Sequence, residues 1–222
     1  MTDQTDRLLD AALAHVPFDG MNDRALLAGA RDIGMNPQVA RALFPRGGAG
    51  MAAAYHRRGD ARLRDRLASS AAAGRFRDRV ADAIWQRLQL SDPELVRAGA
   101  AVMALPQNGA LGARLMWETA DTIWSALGDT SADVNWYTKR ATLASVWGAV
   151  VLYWLGDQSA GHADTRAFID RRIDDVMQVE RIKSAARKVP GVGLATRLAT
   201  GWIRKPAETP PFPAPGRMKE NG

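Results

Sequence analysis

Apolar residues recur at the spacing of one helix face along most of this chain, and no stretch shows the alternation of a strand. Leu8, Leu9, Ala12 and Val16 mark the first such face, over residues 5–16. Ala, Leu and Arg are abundant while runs of Val, Ile and Thr are scarce, a mix that favours helix over strand. The expected fold class is therefore all-α. With 222 residues and a hydrophobic share of 46%, the chain suits one large domain or two small ones, with a real core.

Local signals set the expected elements. Asn22 or Asp23 caps a second helix running to about Ile33, and Pro37 opens a short third helix closed at Phe44-Pro45. Gly47-Gly48 reads as a loop, followed by a longer helix from about Ala49 to Ser70. Further helices are expected over 76–89, 93–104 and 109–127. Ser91-Asp92-Pro93-Glu94 is a strong start for the second of these, with a polar cap and Pro at the first position. A helix over 134–155, a loop at 157–161 and a helix over 163–186 complete the pattern. The run 141–155 is too short for the roughly 20 residues that cross a bilayer, and reads as a buried helix.

Charge is unevenly placed within the net +6. Residues 1–79 hold thirteen basic against nine acidic side chains, 80–180 eight against thirteen, and 181–222 nine against two. The acidic middle argues against nucleic acid wrapping the protein, and nucleic acid is not an expected partner. The basic end suits an anionic surface. There Val192, Leu194, Leu198, Trp202 and Ile203 supply apolar surface, while Arg187, Lys188, Arg204 and Lys205 supply charge. This is a candidate membrane-docking helix, with Trp at headgroup level; the alternative is a C-terminal helix packed on the core. The polar, acidic N-terminus lacks the pattern of a secretory signal, so a cytoplasmic protein is expected, peripheral on the inner membrane. Residues 206–222, with five Pro, are expected as a disordered tail.

Chemistry-bearing motifs are sparse. There is no Cys, and His15, His56 and His162 show no metal-ligand spacing. No activated nucleophile or base pair stands out, so neither an enzyme nor a cofactor is expected. The stretch 128–140 instead concentrates two carboxylates, an Asn, Trp136-Tyr137 and Lys139-Arg140. Aromatic-plus-Arg clusters of this kind dominate interface energetics, so it reads as a recognition surface. One of Asp129 and Asp133 is expected to cap the next helix, and Lys139 and Arg140 to pair with them. A second cluster, 104–108, lies just upstream and is a candidate to fold against it. Two adjacent helices carry large apolar groups: Met116, Trp117, Ile123, Trp124 and Leu127 on one, and Val146, Trp147, Val150, Tyr153 and Trp154 on the next. They form either an ordinary core or a core open enough to hold a lipid, since ligand sites in bundles lie between facing helices.

The order of the first four helices resembles the N-terminal module of TetR-type regulators. More specifically, Leu105-Pro-Gln-Asn108, Asp121-Thr-Ile-Trp124, Gly128-Asp-Thr-Ser-Ala-Asp133, Asn135-Trp-Tyr-Thr-Lys-Arg140, Asp157-Gln-Ser159 and the run from Thr165 to Ile173 resemble the ubiquinone-biosynthesis accessory family. Its mitochondrial members are the ninth-numbered coenzyme Q proteins; this chain looks like a bacterial one over residues 5–205. The resemblance implies a TetR-like helical bundle with an N-terminal helix-turn-helix-like module (1–75), a lipid-binding helical domain (76–186), an amphipathic membrane-docking helix (187–205) and a tail (206–222). It also implies an isoprenoid lipid or quinone precursor as ligand, and a demethoxyubiquinone hydroxylase-type di-iron enzyme as partner. The partner surface carries over as Leu105, Pro106, Asn108, Asp133, Trp136 and Tyr137. A homodimer is a further expectation for this fold. The rival reading is a TetR-type DNA-binding regulator with a lipid-sensing domain; its recognition helix would offer Gln38 and Arg41 but few other contacts.

Overall fold

The computed structural model describes residues 3–69, 74–131 and 134–187, with side chains as far as residue 176. Asp133, the side chain of Arg187 and the expected segments beyond it lie outside this description. Nine α-helices and no strand are found among the described residues: α1 (Asp3–Asp19), α2 (Asp23–Asp32), α3 (Pro37–Leu43), α4 (Gly47–Ser69), α5 (Phe76–Gln89), α6 (Pro93–Met103), α7 (Gly109–Ala126), α8 (Val134–Gly156) and α9 (Ala163–Arg187). One-turn 3-10 helices at Pro106–Asn108 and Ala160–His162 lead into α7 and α9.

The caps explain why the starts were legible. Asn22 Oδ1 accepts the N–H groups of Arg24 at 2.8 Å and Ala25 at 3.3 Å. Asn36 Oδ1 accepts from Gln38 at 2.8 Å, with Pro37 at the first helical position. Asp92 Oδ1 accepts from Glu94 at 2.8 Å and Leu95 at 3.2 Å. Each satisfies amide donors that a helix start leaves orphaned.

The Gly47-Gly48 loop expectation is corrected: α4 begins at Gly47. The pair is there for close approach. A Cβ on Gly48 would sit 2.0 Å from the Met21 carbonyl oxygen, so only glycine lets the start of α4 press against the α1–α2 turn. The first helix also runs past the expected residue 16, through Pro17 to Asp19.

Two cores form. Leu8, Leu9, Val16, Leu26 and Met51 are buried in one, among α1, α2 and the first part of α4. Leu63, Ile84, Ile123, Trp147, Val150, Ile169 and Ile173 are buried in the other, among α5, α7, α8, α9 and the end of α4. The 23-residue α4 extends about 35 Å at 1.5 Å per residue and serves both cores. None of the helices among the described residues is long and apolar enough to cross a membrane.

Candidate functional site

A cavity of about 290 Å³ opens between α4, α5, α6, α7 and α8. Its walls are mainly apolar: Leu88 from α5, Leu95, Val96 and Met103 from α6, Leu115 and Met116 from α7, and Trp147, Val151 and Trp154 from α8. Helix α6 roofs it with no fully buried residue of its own. At the rim Leu152 remains 70% exposed, an apolar side chain facing outward at the mouth.

One wall is polar. Tyr55 and His56 from α4, Arg87 from α5, and Ser91 line it. Behind them Arg87 Nε donates to Asp60 Oδ1 at 2.7 Å, its NH2 to the His56 carbonyl at 2.8 Å and its NH1 to Ser91 Oγ at 2.7 Å. Thr119 Oγ1 lies 3.0 and 3.1 Å from the Asp60 carboxylate oxygens and 2.7 Å from His56 Nε2. The Asp60–Arg87 pair is buried, and its hydrogen bonds satisfy what burial would otherwise leave costly. Burial is the largest influence on His56 and lowers its pKa, favouring the neutral ring; Asp60 pulls the other way. Sequence reasoning weighed His56 only as a metal ligand and passed over Asp60, Arg87 and Thr119. The available signal was His56 with Asp60, four residues apart on one face of α4.

The large apolar residues of α7 and α8 divide. Met116, Trp147 and Trp154 line the cavity. Ile123, Trp124, Val146 and Val150 lie in the closed core, with Leu127 packed against it. Tyr153 stacks on Phe168 with ring centroids 4.3 Å apart. Trp117 points to a different cluster, 5.8 Å from Trp136 and 6.3 Å from Tyr137 between centroids.

That cluster rests on buried charge. Asp129 accepts from Lys139 Nζ at 2.9 Å, Arg140 NH1 at 3.0 Å and Ser131 Oγ at 2.8 Å. Burial opposes its ionisation, but the bonds from Lys139, Ser131 and Arg140 outweigh this and lower its pKa to about 2. Asp129 therefore pairs with the two cations, as one reading of the sequence had it, and helps to hold the α7–α8 turn. Gly128 makes the turn possible with φ of +81°. Trp136 and Tyr137 are half-buried at the start of α8.

Leu105 is 46% exposed and Pro106 is exposed, while Asn108 is buried. The Asn108 amide donates to the Val102 carbonyl at 2.9 Å, and its Oδ1 accepts from Arg46 at 3.4 Å. These bonds tie the turn to α6 and to the N-terminal helices; neither runs to the 128–140 stretch. Asp157 seals the α8–α9 junction. It accepts the Ser159 amide at 2.8 Å and the Thr165 amide at 2.9 Å, and these partners hold its carboxyl well below the usual range.

The described residues define an all-helical bundle with a mainly apolar cavity that is open at one rim. A family model described as COQ9 matches residues 110–180. The chain is 32% identical over 185 residues to the mitochondrial ubiquinone biosynthesis protein COQ9 of Drosophila melanogaster, covering 80% of this chain and 56% of that protein. It is 31% identical over 199 residues to the COQ9 of Rattus norvegicus, covering 85% and 62%. The chain thus spans less than two thirds of the length of these relatives. Residues 110–180 thus match the COQ9 family model, and most of the chain is similar to COQ9 proteins. A TetR transcriptional regulator from Nitrosomonas europaea superposes with a TM-score of 0.60 at 16% identity, over 78% of this chain and 97% of that one. This shows the fold as TetR-like, and shows the fold alone.

Proposed function

We propose that this chain is a lipid-binding accessory protein of ubiquinone biosynthesis. It takes part of a polyprenylated quinone precursor into the cavity beneath α6 and presents it to a membrane-associated hydroxylase of the di-iron type. The observation that carries the reading is the cavity itself: apolar walls, one polar wall, and an exposed Leu152 at the mouth. Apolar protein surface must replace lipid for a prenyl tail to leave the bilayer, at about 25 cal/mol per Å² of apolar area. The relatives' role in ubiquinone biosynthesis supports the class of ligand.

In this reading Trp136 and Tyr137, with the exposed Leu105 and Pro106, form the partner face. Asn108 supports the turn from within, and Asp133 belongs to the same stretch. The basic, amphipathic segment 187–205 docks on the membrane. Native mass spectrometry with lipid extraction, on protein purified gently from its own host, tests the proposal. A co-purifying polyprenylated phenol or quinone is expected. A clean apo protein that also ignores anionic liposomes overturns it.

A further inference from the structure

The polar wall of the cavity has a definite hydrogen-bond polarity, which follows from the network behind it. His56 Nε2 lies 3.1 Å from the Leu115 carbonyl oxygen, a group that only accepts. Nε2 must therefore carry the ring proton. Thr119 Oγ1 lies within 3.1 Å of both oxygens of Asp60, so its single hydrogen goes to that carboxylate and it accepts from His56 Nε2–H. The neutral ring then has Nδ1 as a bare acceptor. Nδ1 has no partner among the described residues, and the His56 side chain keeps 15% exposure.

Of the other polar groups around the cavity, Arg87 and Ser91 are committed, while the buried Trp147 Nε1–H is a donor with no partner among the described residues. Arg87 is held by Asp60, Ser91 and the His56 carbonyl, and Ser91 returns its hydrogen to the Arg87 carbonyl at 3.1 Å. Tyr55 Oη accepts the Asp92 amide N–H at 2.8 Å and has its own hydrogen to give. A phenolic hydroxyl can donate its hydrogen to His56 Nδ1 and can also accept from a donor such as the Tyr55 hydroxyl. A quinone carbonyl can only accept, and sets lone pair against lone pair at His56. Trp147 and Trp154 supply aromatic walls to the same space.

We infer that the cavity selects an aromatic head ring bearing a hydroxyl hydrogen, a phenol or hydroquinone, over the fully oxidised quinone, with His56 Nδ1 as the discriminating acceptor. The inference rests on the lipid-binding reading of the cavity and specifies the chemical form that it takes.

Calorimetric titration of the full chain with para-hexylphenol, para-hexylanisole and hexylbenzene tests it. The anisole lacks the hydroxyl hydrogen, and hexylbenzene controls for its added bulk. The phenol binds about five-fold or more tighter than either, the worth of one net hydrogen bond. The His56→Gln variant keeps an amide donor toward Leu115 and Thr119 and removes the Nδ1 acceptor; it brings the difference below about two-fold. Equal binding of the three probes to the native chain overturns the inference and leaves the lipid-binding reading standing. A preference that survives in His56→Gln also overturns it. Failure of all three probes to bind overturns both readings. Should His56→Gln not fold, the comparison of probes on the native chain still decides.

Discussion

The guanidinium of Arg140 lies 4.0 Å from the ring centroid of Trp136 and donates to that residue's own carbonyl oxygen at 3.2 Å. The same group bonds Asp121 at 2.5 Å and the buried Asp129 at 3.0 Å. One side chain thus closes the α7–α8 turn and sets the orientation of an aromatic residue at the proposed partner face. Arg140→Met should leave Asp129 buried with Lys139 as its remaining cation, at a cost of about 3 kcal/mol. Urea unfolding followed by circular dichroism measures the loss; a variant as stable as the native chain would show the network to be dispensable.

The proposed partner face should be separable from the fold. Trp136 and Tyr137 are half-buried on each other and on Trp117, with the two rings 4.8 Å apart in edge contact. The Trp136→Lys, Tyr137→Lys double variant should keep its helix content and lose capture of a demethoxyubiquinone hydroxylase-type enzyme. Undiminished capture in a pull-down would remove these residues from the partner surface.

Two glycines should respond oppositely to alanine. A Cβ on Gly148 meets Met116 Sδ at 3.9 Å, an ordinary contact at the cavity wall. Gly148→Ala is therefore expected to stabilise α8 by about 0.5–1 kcal/mol. Gly148→Leu extends into the cavity and should weaken para-hexylphenol binding without unfolding the chain. A Cβ on Gly59 would fall 2.4 Å from the Arg87 guanidinium carbon, in a group pinned by three partners. Gly59→Ala should cost on the order of 2 kcal/mol or more. Thermal unfolding of both variants checks the sign of each.

Acid should weaken the protein in two stages. Burial lowers the His56 pKa below 6.5, so the unfolded chain takes up that proton first as pH falls. The contribution is whole above 6.5 and declines as pH drops through that value toward the lower folded pKa. Asp129 acts with the same sign further down: its contribution is whole above 3.8 and is lost as pH falls toward about 2. Urea midpoints measured from neutral to acid pH should show both declines, and His56→Gln should flatten the first. An unchanged slope near pH 6 in that variant would assign the first decline to other groups.

Helix starts were readable because their determinants are local. Asn22, Asn36-Pro37 and Asp92-Pro93 each satisfy amides within three residues, and the start of α5 at Phe76 needed only its apolar spacing. The Gly47-Gly48 loop was misread because the reason for those glycines is the Met21 carbonyl, more than twenty residues away in sequence. The ten large apolar residues of α7 and α8 looked alike at helical spacing. Only α6 and α8 as neighbours separate Met116, Trp147 and Trp154, which line the cavity, from Ile123 and Val150, which are sealed in the core.

The sequence by itself determined the all-helical class and most element boundaries, and pointed to Asp129 or Asp133 as partners of Lys139 and Arg140, since these depend on periodicity, caps and groups within about a dozen positions. Only the tertiary structure decided where the bundle stays open and what chemistry it offers there. Asp60 meets Arg87 across 27 positions and Thr119 across 59. His56 acquires its acceptor edge from those meetings. Burial makes such contacts strong, but no local pattern encodes which buried groups will face one another.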